Sequence, residues 1–505
     1  MKNETDTDLV GQALLLSFAG SYLTDTIRDQ IARVRPAGVI LFTDNCESPM
    51  AIHELCAGLQ EHARHHGLPA LLIGIDQEGG IVTRLPHPLI TPPSQMAQGL
   101  SQQPDVARGC AELTGRQLRT LGINLNFAPV LDIHTNPDNP VIATRSFGTT
   151  PELVTQMGLA ALAGYRNAGV IATIKHFPGH GDTTIDSHHG LPSLHSSRER
   201  LLTTEIAPFA AAINAGAPAV MSAHMLFYAF DDQPATLSRP ILTEFLRGQL
   251  GFLGPIFTDA LNMRAIADQY GPGQAAILAR AAGADLVLPL GSLENQTQVA
   301  HMLVDALNTG QLHATDFHQT HQRLATLRNE YCLDTTTAFA LPTAEDWAFV
   351  HDVAQRSIKV VNPQTSLPLP STIRLLVVDC LVPRFAQIEE AQRQSNDFFA
   401  HVTQRFPHAT GITLNHPIQL TDLEQVCSQA STNEAILLIT RNASQIDAQT
   451  TLARQIAQLG LPLLIACVRN PDSQKLDITN ATYIETCGDP FVSLQALLDV
   501  VSNTH

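Results

Sequence analysis

The chain has 505 residues, 44% of them hydrophobic and only 15% charged, with a formal net charge of −17. That length is enough for two domains with sizeable cores, and the acidic balance argues against a nucleic-acid partner, whose phosphates it would repel. No apolar run approaches the roughly 18 residues of a membrane span, and the N-terminal "MKNETDTDLVGQALLLSF" carries acids where a signal peptide carries bases, so a cytoplasmic protein with no membrane partner is expected.

Short runs rich in Val, Ile and Leu follow one another along the chain. They are "AGVILF" (37–42), "PALLIGID" (69–76), "INLNFAPVLDI" (123–133), "GVIATIKHF" (169–177), "APAVMSAH" (217–224), "GPIFTDA" (254–260) and "ADLVLPL" (284–290). Runs apolar on both faces, spaced for a crossover helix, read as buried parallel strands. Polar residues fall at the C-terminal end of each unit: Thr43-Asp44-Asn45, Asp76-Gln77-Glu78, Asp132, Lys175-His176, His224 and Asp259. A doubly wound sheet would gather such residues mostly at one switch point, whereas a (β/α)₈ barrel of the TIM type spreads them around one rim. The barrel is therefore expected over residues 1–332. The Thr/Ala/Pro-rich stretch "LDTTTAFALPTAE" marks a linker at 333–350. The runs "IRLLVVDC" (373–380), "AILLIT" (435–440) and "PLLIACV" (462–468) then predict a smaller α/β sandwich domain over 351–505, built on a parallel sheet. The eight cysteines are scattered singly without metal-ligand spacing and read as free, mostly buried thiols of a reducing compartment.

The densest chemistry is "KHFPGHGDTTIDSHHGLP" (175–192), with one Lys, four His and two Asp. Spacings of four, eight and one between its histidines match no common zinc pattern, and no GxxxxGK[ST] phosphate cradle is present, so neither a metal nor a cofactor is expected. Proton transfer fits better. Asp186 and His188 stand two apart, and in an extended loop their side chains share one side. The carboxylate can then fix one imidazole nitrogen and leave the other for a substrate. The neighbouring His189 would point elsewhere.

In this company the sequence resembles glycoside hydrolase family 3, and within it the β-N-acetylglucosaminidases of the NagZ type. "KHFPGHGDTTIDSH" resembles that subgroup's signature over its whole length. "IDQEGGIVTRL" (75–85), "NLNFAPVLDIHTNPDNPVIATRSFG" (124–148), "AVMSAHM" (219–225) and "GFLGPIFTDALNM" (251–263) resemble the family's other segments in order. The resemblance implies a retaining exo-glycosidase that releases terminal β-linked N-acetylglucosamine (GlcNAc). It implies Asp259 as nucleophile, His188 as general acid/base with Asp186 as its partner, and Asp76, Arg84, Arg145, Lys175 and His176 around the bound sugar. Asp132 and His224 would stand at the rim or behind these groups. The implied substrates are muropeptide fragments from peptidoglycan recycling, or chito-oligosaccharides.

Two departures stand out. Ala260 follows the nucleophile where members often carry a second Asp, and Ile81 stands where the subgroup often has Arg. Neither touches the proposed catalytic pair. Three other readings stay open at this point: a phosphorylase that passes GlcNAc to phosphate, a family β-glucosidase, and a GlcNAc-binding protein without turnover.

Overall fold

A computed structural model describes residues 5–333, 337–382 and 397–502, so residues 334–336 of the predicted linker lie outside the described residues. Eight strands form one sheet in chain order: β1 (Leu15–Leu16), β2 (Gly38–Leu41), β3 (Leu72–Ile75), β4 (Leu125–Asn126), β5 (Ile171–Phe177), β6 (Ala219–Ser222), β7 (Ile256–Ala260) and β8 (Leu286–Leu288). Every pairing is parallel. A parallel bridge between Leu14 and Val287 brings β8 back to β1 and closes the barrel.

These strands are buried on both faces, which is why they read as unbroken apolar runs, yet a period of two still sorts them. Ile40 of β2 joins Leu72, Phe127, Ile171, Met221 and Phe257 in the barrel interior, while its neighbours Val39 and Leu41 pack outward with the helices. Phe127 and Phe257 meet edge to face at 5.6 Å across that interior. A Cβ on Gly74 would lie 3.1 Å from the Phe127 ring, so the small residue makes room for it. The barrel interior is thus filled by side chains, so a ligand has no room inside it.

The second sheet holds β9 (Lys359–Val361), β10 (Leu375–Cys380), β11 (Thr410–Leu414), β12 (Ala435–Thr440), β13 (Leu463–Cys467) and β14 (Ala481–Glu485), in the order β9-β14-β13-β12-β10-β11. Leu376, Val378, Ile436 and Leu438 face the helices Leu420–Ala430 and Asp447–Ala457. Leu375, Val377, Leu437 and Ile439 face Asp397–Arg405 and Phe491–Ser502. This is the expected sandwich with one correction: β9 runs antiparallel to β14, so the sheet is mixed rather than parallel.

A helix, Ala344–Arg356, begins inside the stretch read as linker, started by a reciprocal capping box between Thr343 and Asp346. Its Val350 and Ala354 sit in one cluster with Ile90 and Leu113 from the barrel and Val492 and Ala496 from the last helix. The Ser94 hydroxyl donates to the Cys487 carbonyl, and Lys475 lies 3.0 Å from Asp138. All eight cysteines are free thiols, six of them buried. Among the described residues no helix is long and apolar enough to cross a membrane.

Candidate active site

A cavity of about 500 Å³ opens at the C-terminal rim of the barrel, within the range of roughly 300–1,000 Å³ usual for small-molecule sites. Asp76, Arg84, Arg145, Lys175, His176, His188 and Asp259 all line it. Residues far apart in sequence therefore meet at one place, and Asp186, the eighth residue named from sequence, stands directly behind His188.

The floor is a buried chain of alternating charge. Lys175, at the end of β5, places its ammonium 2.6 Å from Asp76 Oδ1 and 2.6 Å from Glu78 Oε1. Glu78 in turn accepts from Arg145 twice, from Nε at 2.8 Å and Nη2 at 2.9 Å. Asp76 and Glu78 reach the same side because they are two apart at a strand end. Burial alone would raise the Glu78 carboxyl, but the Arg145 and Lys175 charges outweigh it and hold the group well below the usual carboxylate range. Burial likewise opposes the Lys175 charge, which Asp76 and Glu78 more than restore, so its value is raised. Glu78 was named from sequence only as one of the strand-end polar residues, without a role at the site, and it joins Lys175 to Arg145 in this floor. Arg145 also donates Nη1 to the Val141 carbonyl, so most of its N–H groups are committed inside the protein.

His176 sits beside the floor. Its Nδ1 is 2.6 Å from Asp132 Oδ2, and Arg145 Nη2 approaches its Nε2 at 3.4 Å. A guanidinium can only donate, so Nε2 accepts and Nδ1 carries the proton toward Asp132. Asp132 is fully buried and also accepts the backbone N–H groups of His176 and His180. Burial would raise its carboxyl, and His176 holds it down instead. Asp132 therefore pins the start of the following loop to the barrel.

That loop, 178–192, is fixed at its base. Asn139, fully buried, donates Nδ2 to the carbonyls of His180 and Gly181 at 2.9 Å each and accepts from the N–H groups of Val141 and Ile142. Gly181 lies so close to Ile133 that a Cβ would fall 1.6 Å from the Ile133 carbonyl oxygen. Burial pushes His180 down to about 4, so it is a neutral spacer, with Nε2 3.3 Å from the Ser187 hydroxyl. We expect Asn139→Asp to replace two donated hydrogen bonds by repulsion between oxygens. Activity should fall roughly 100-fold, with a loss of about 2–4 kcal/mol in stability. Steady-state kinetics and thermal unfolding on one preparation check both; wild-type rates would contradict the role.

At the tip, Asp186 Oδ1 accepts from His188 twice, from the backbone N–H at 2.9 Å and from Nδ1 at 2.7 Å. The pair does not sit in an extended segment as the sequence suggested. His189 and Gly190 both donate to the Asp186 carbonyl, so the chain turns there, and the side chain of Asp186 folds over its own turn. The turn leaves His189 exposed and His188 half-buried at the cavity wall. Burial would raise the Asp186 carboxyl, but the His188 hydrogen bonds hold it down as an anion. The Ser187 carbonyl accepts from Ala265 N–H at 3.2 Å, latching the tip to the segment after β7.

Asp259 comes from β7. Its Oδ1 accepts the N–H of Ala260 at 2.7 Å, and His224 Nε2 donates to the Ala260 carbonyl at 3.0 Å, so the residue after Asp259 is held at both its peptide groups. Burial would raise the carboxyl; His224, His176, the Ala260 N–H and His188 together lower it, so Asp259 is ionised at neutral pH.

Glu78, Asp132, Asp186 and Asp259 are all held below their ordinary values. A depressed carboxyl adds stability that is fully present above its unfolded value, about pH 4, and is lost as pH falls through the folded value. We expect the unfolding temperature to drop progressively below about pH 4. A midpoint that rises on acidification would contradict the charge assignment.

The profile of the Glycosyl hydrolase family 3 N terminal domain matches residues 9–327. A relative named β-hexosaminidase A, from Pseudoalteromonas piscicida, is 35% identical over 367 residues, which make up 65% of this chain and 61% of that protein. A β-hexosaminidase of Alkalilimnicola ehrlichii is 36% identical over 286 residues, 54% of this chain and 79% of the relative. Among solved structures, a family 3 β-N-acetylglucosaminidase from Paenibacillus sp. str. FPU-7 superimposes with a TM-score of 0.95 at 34% identity, over 99% of this chain and 97% of that one. Sequence motifs, barrel and cavity lining agree with that match: the chain belongs to glycoside hydrolase family 3.

Proposed function

We propose that this protein is a retaining exo-β-N-acetylglucosaminidase. The observation that carries the reading is the meeting of an ionised Asp259 and an Asp186-held imidazole, His188, at one cavity above a filled barrel. A cavity with a floor accepts a chain end rather than a chain middle. Asp76 keeps one oxygen beyond Lys175 for sugar hydroxyls, and Lys175, Arg84 and His176 surround the same ring. Asp259 attacks the anomeric carbon while His188 gives its cavity-side proton to the leaving oxygen. The glycosidic bond breaks as the ester bond to Asp259 forms. His188 then takes a proton from water, which hydrolyses the ester. Asp186 stays an anion throughout, stabilising the doubly protonated imidazole of the first step. Asp186→Asn keeps the shape and removes that charge. We expect kcat/KM to fall roughly 100-fold, read from steady-state kinetics on 4-nitrophenyl β-GlcNAc.

Muropeptide fragments such as GlcNAc-MurNAc are the substrates we favour over chito-oligosaccharides, acted on in the cytoplasm during peptidoglycan recycling. The free, mostly buried thiols fit a reducing compartment. A second reading has one specific support: an imidazole acid/base does not repel a phosphate acceptor as a carboxylate would. Release of 4-nitrophenol from its β-GlcNAc and β-glucoside derivatives, with and without phosphate, separates the readings. Hydrolysis of the GlcNAc substrate alone is expected, with His188→Ala strongly impaired. Sugar 1-phosphate as product would make the enzyme a phosphorylase, glucoside turnover would make it a glucosidase, and binding without turnover would make it a binding protein.

A further inference from the structure

Three of the cations lining the cavity are buried: Arg84, Arg145 and Lys175. Arg264 is different. It lines the same cavity with its side chain 62% exposed, and its ion-pair partner there is the similarly exposed Asp268, at 3.1 Å. Its own helix gives no reason for it. Arg264 opens the first turn, where the helix dipole disfavours a cation. It also precedes Asp268 at i,i+4, the weaker order for such a pair. An exposed pair of this kind contributes little and exchanges readily for a better anion.

Its position says which part of a substrate it meets. Ala265, the next residue, donates to the Ser187 carbonyl, so Arg264 stands beside the loop tip that carries His188. In the mechanism above His188 protonates the leaving oxygen. The aglycone must therefore leave the buried pocket past His188, along the rim formed by Asn262, Met263 and Arg264. The rest of the chain works against an acidic substrate, since its formal net charge is −17.

We propose that Arg264 is a specificity-determining residue that recognises a carboxylate on the leaving group, giving preference to acidic over neutral aglycones. This rests on the hydrolase reading, and the test separates the two. The full-length enzyme, Arg264→Gln and Arg264→Lys are each assayed on GlcNAc-MurNAc and on its lactyl methyl ester, at low and high salt. The expected result is a ratio of kcat/KM, acid over ester, that falls about tenfold in Arg264→Gln and is partly kept in Arg264→Lys. Salt should lower kcat/KM for the acid in the wild type, by screening the attraction. It should raise it in Arg264→Gln, where only repulsion by the acidic chain remains. An acid-to-ester ratio unchanged by Arg264→Gln overturns the proposal while leaving hydrolysis standing. A folded wild type that cleaves neither compound overturns the hydrolase reading and this proposal with it. A loss in Arg264→Gln confined to phosphorolysis would assign the residue to phosphate and also overturn it.

Discussion

Asp259→Ala is expected to lower kcat on 4-nitrophenyl β-GlcNAc by at least about 10⁴-fold while leaving the fold intact. The side chain lies at the end of β7, and among the described residues its carboxylate accepts one hydrogen bond, from the next N–H, so little packing depends on it. Burial would raise its value, but His224, His176, the Ala260 N–H and His188 together pull it down and favour the anion. A small anion such as azide should enter the vacated space and attack from the same face, restoring turnover and giving the α-glycosyl azide. Thermal unfolding within a few degrees of wild type, together with that product, is the outcome expected. Activity within tenfold of wild type would remove Asp259 from the reaction.

The second large effect concerns stability. Glu78→Gln keeps the shape of the floor and deletes the charge shared by Lys175 and Arg145. Breaking a buried ion pair leaves the remaining charges uncompensated and costs about 3–5 kcal/mol, which for a chain of this size lowers the unfolding temperature by roughly 3–7 °C. Lys175 would also be drawn toward Asp76, taking from the sugar the acceptor it needs, so activity should fall as well. The Arg356–Asp352 pair is a control of the opposite kind. Its separation is 2.6 Å, as short as the buried ones, but both side chains are about half exposed. Asp352→Asn should therefore cost less than about 1 kcal/mol. Equal losses in the two variants would show that burial is not what gives the floor its strength.

The barrel was legible because its strands are buried on both faces, so seven of them appear as apolar runs between helices. The eighth, Leu15–Leu16, is two residues long within "QALLLSF" and gives no such run. In the second sheet, β9 begins with an exposed Lys359 and β11 reads "TGITL" with alternate residues exposed, so neither stands out from its surroundings. The capping box "TAED" announced the helix at Ala344, but the Thr/Ala/Pro-rich composition before it dominated the reading. At the site, residues on recognisable motifs were legible. Those that act through partners distant in sequence were not. Glu78 acquires its meaning from Arg145 and Lys175, and Asn139 from the carbonyls of His180 and Gly181; His224 was expected at the rim or behind the site, but not its partner, the Ala260 carbonyl. The i,i+2 spacing of Asp76 and Glu78 at a strand end was the one signal that could have found Glu78.

The most direct test of the account is to trap the covalent intermediate. The wild-type enzyme would be incubated with 2-acetamido-2-deoxy-5-fluoro-β-D-glucosyl fluoride, whose ring fluorine slows both formation and breakdown of the glycosyl-enzyme while its good fluoride leaving group restores formation alone. The protein would then be weighed intact and after trypsin digestion. One added sugar is expected, carried by Asp259 in the tryptic peptide from Gly248 to Arg264. An adduct on another carboxylate, or turnover of the reagent with no adduct and an inverted product, would contradict it.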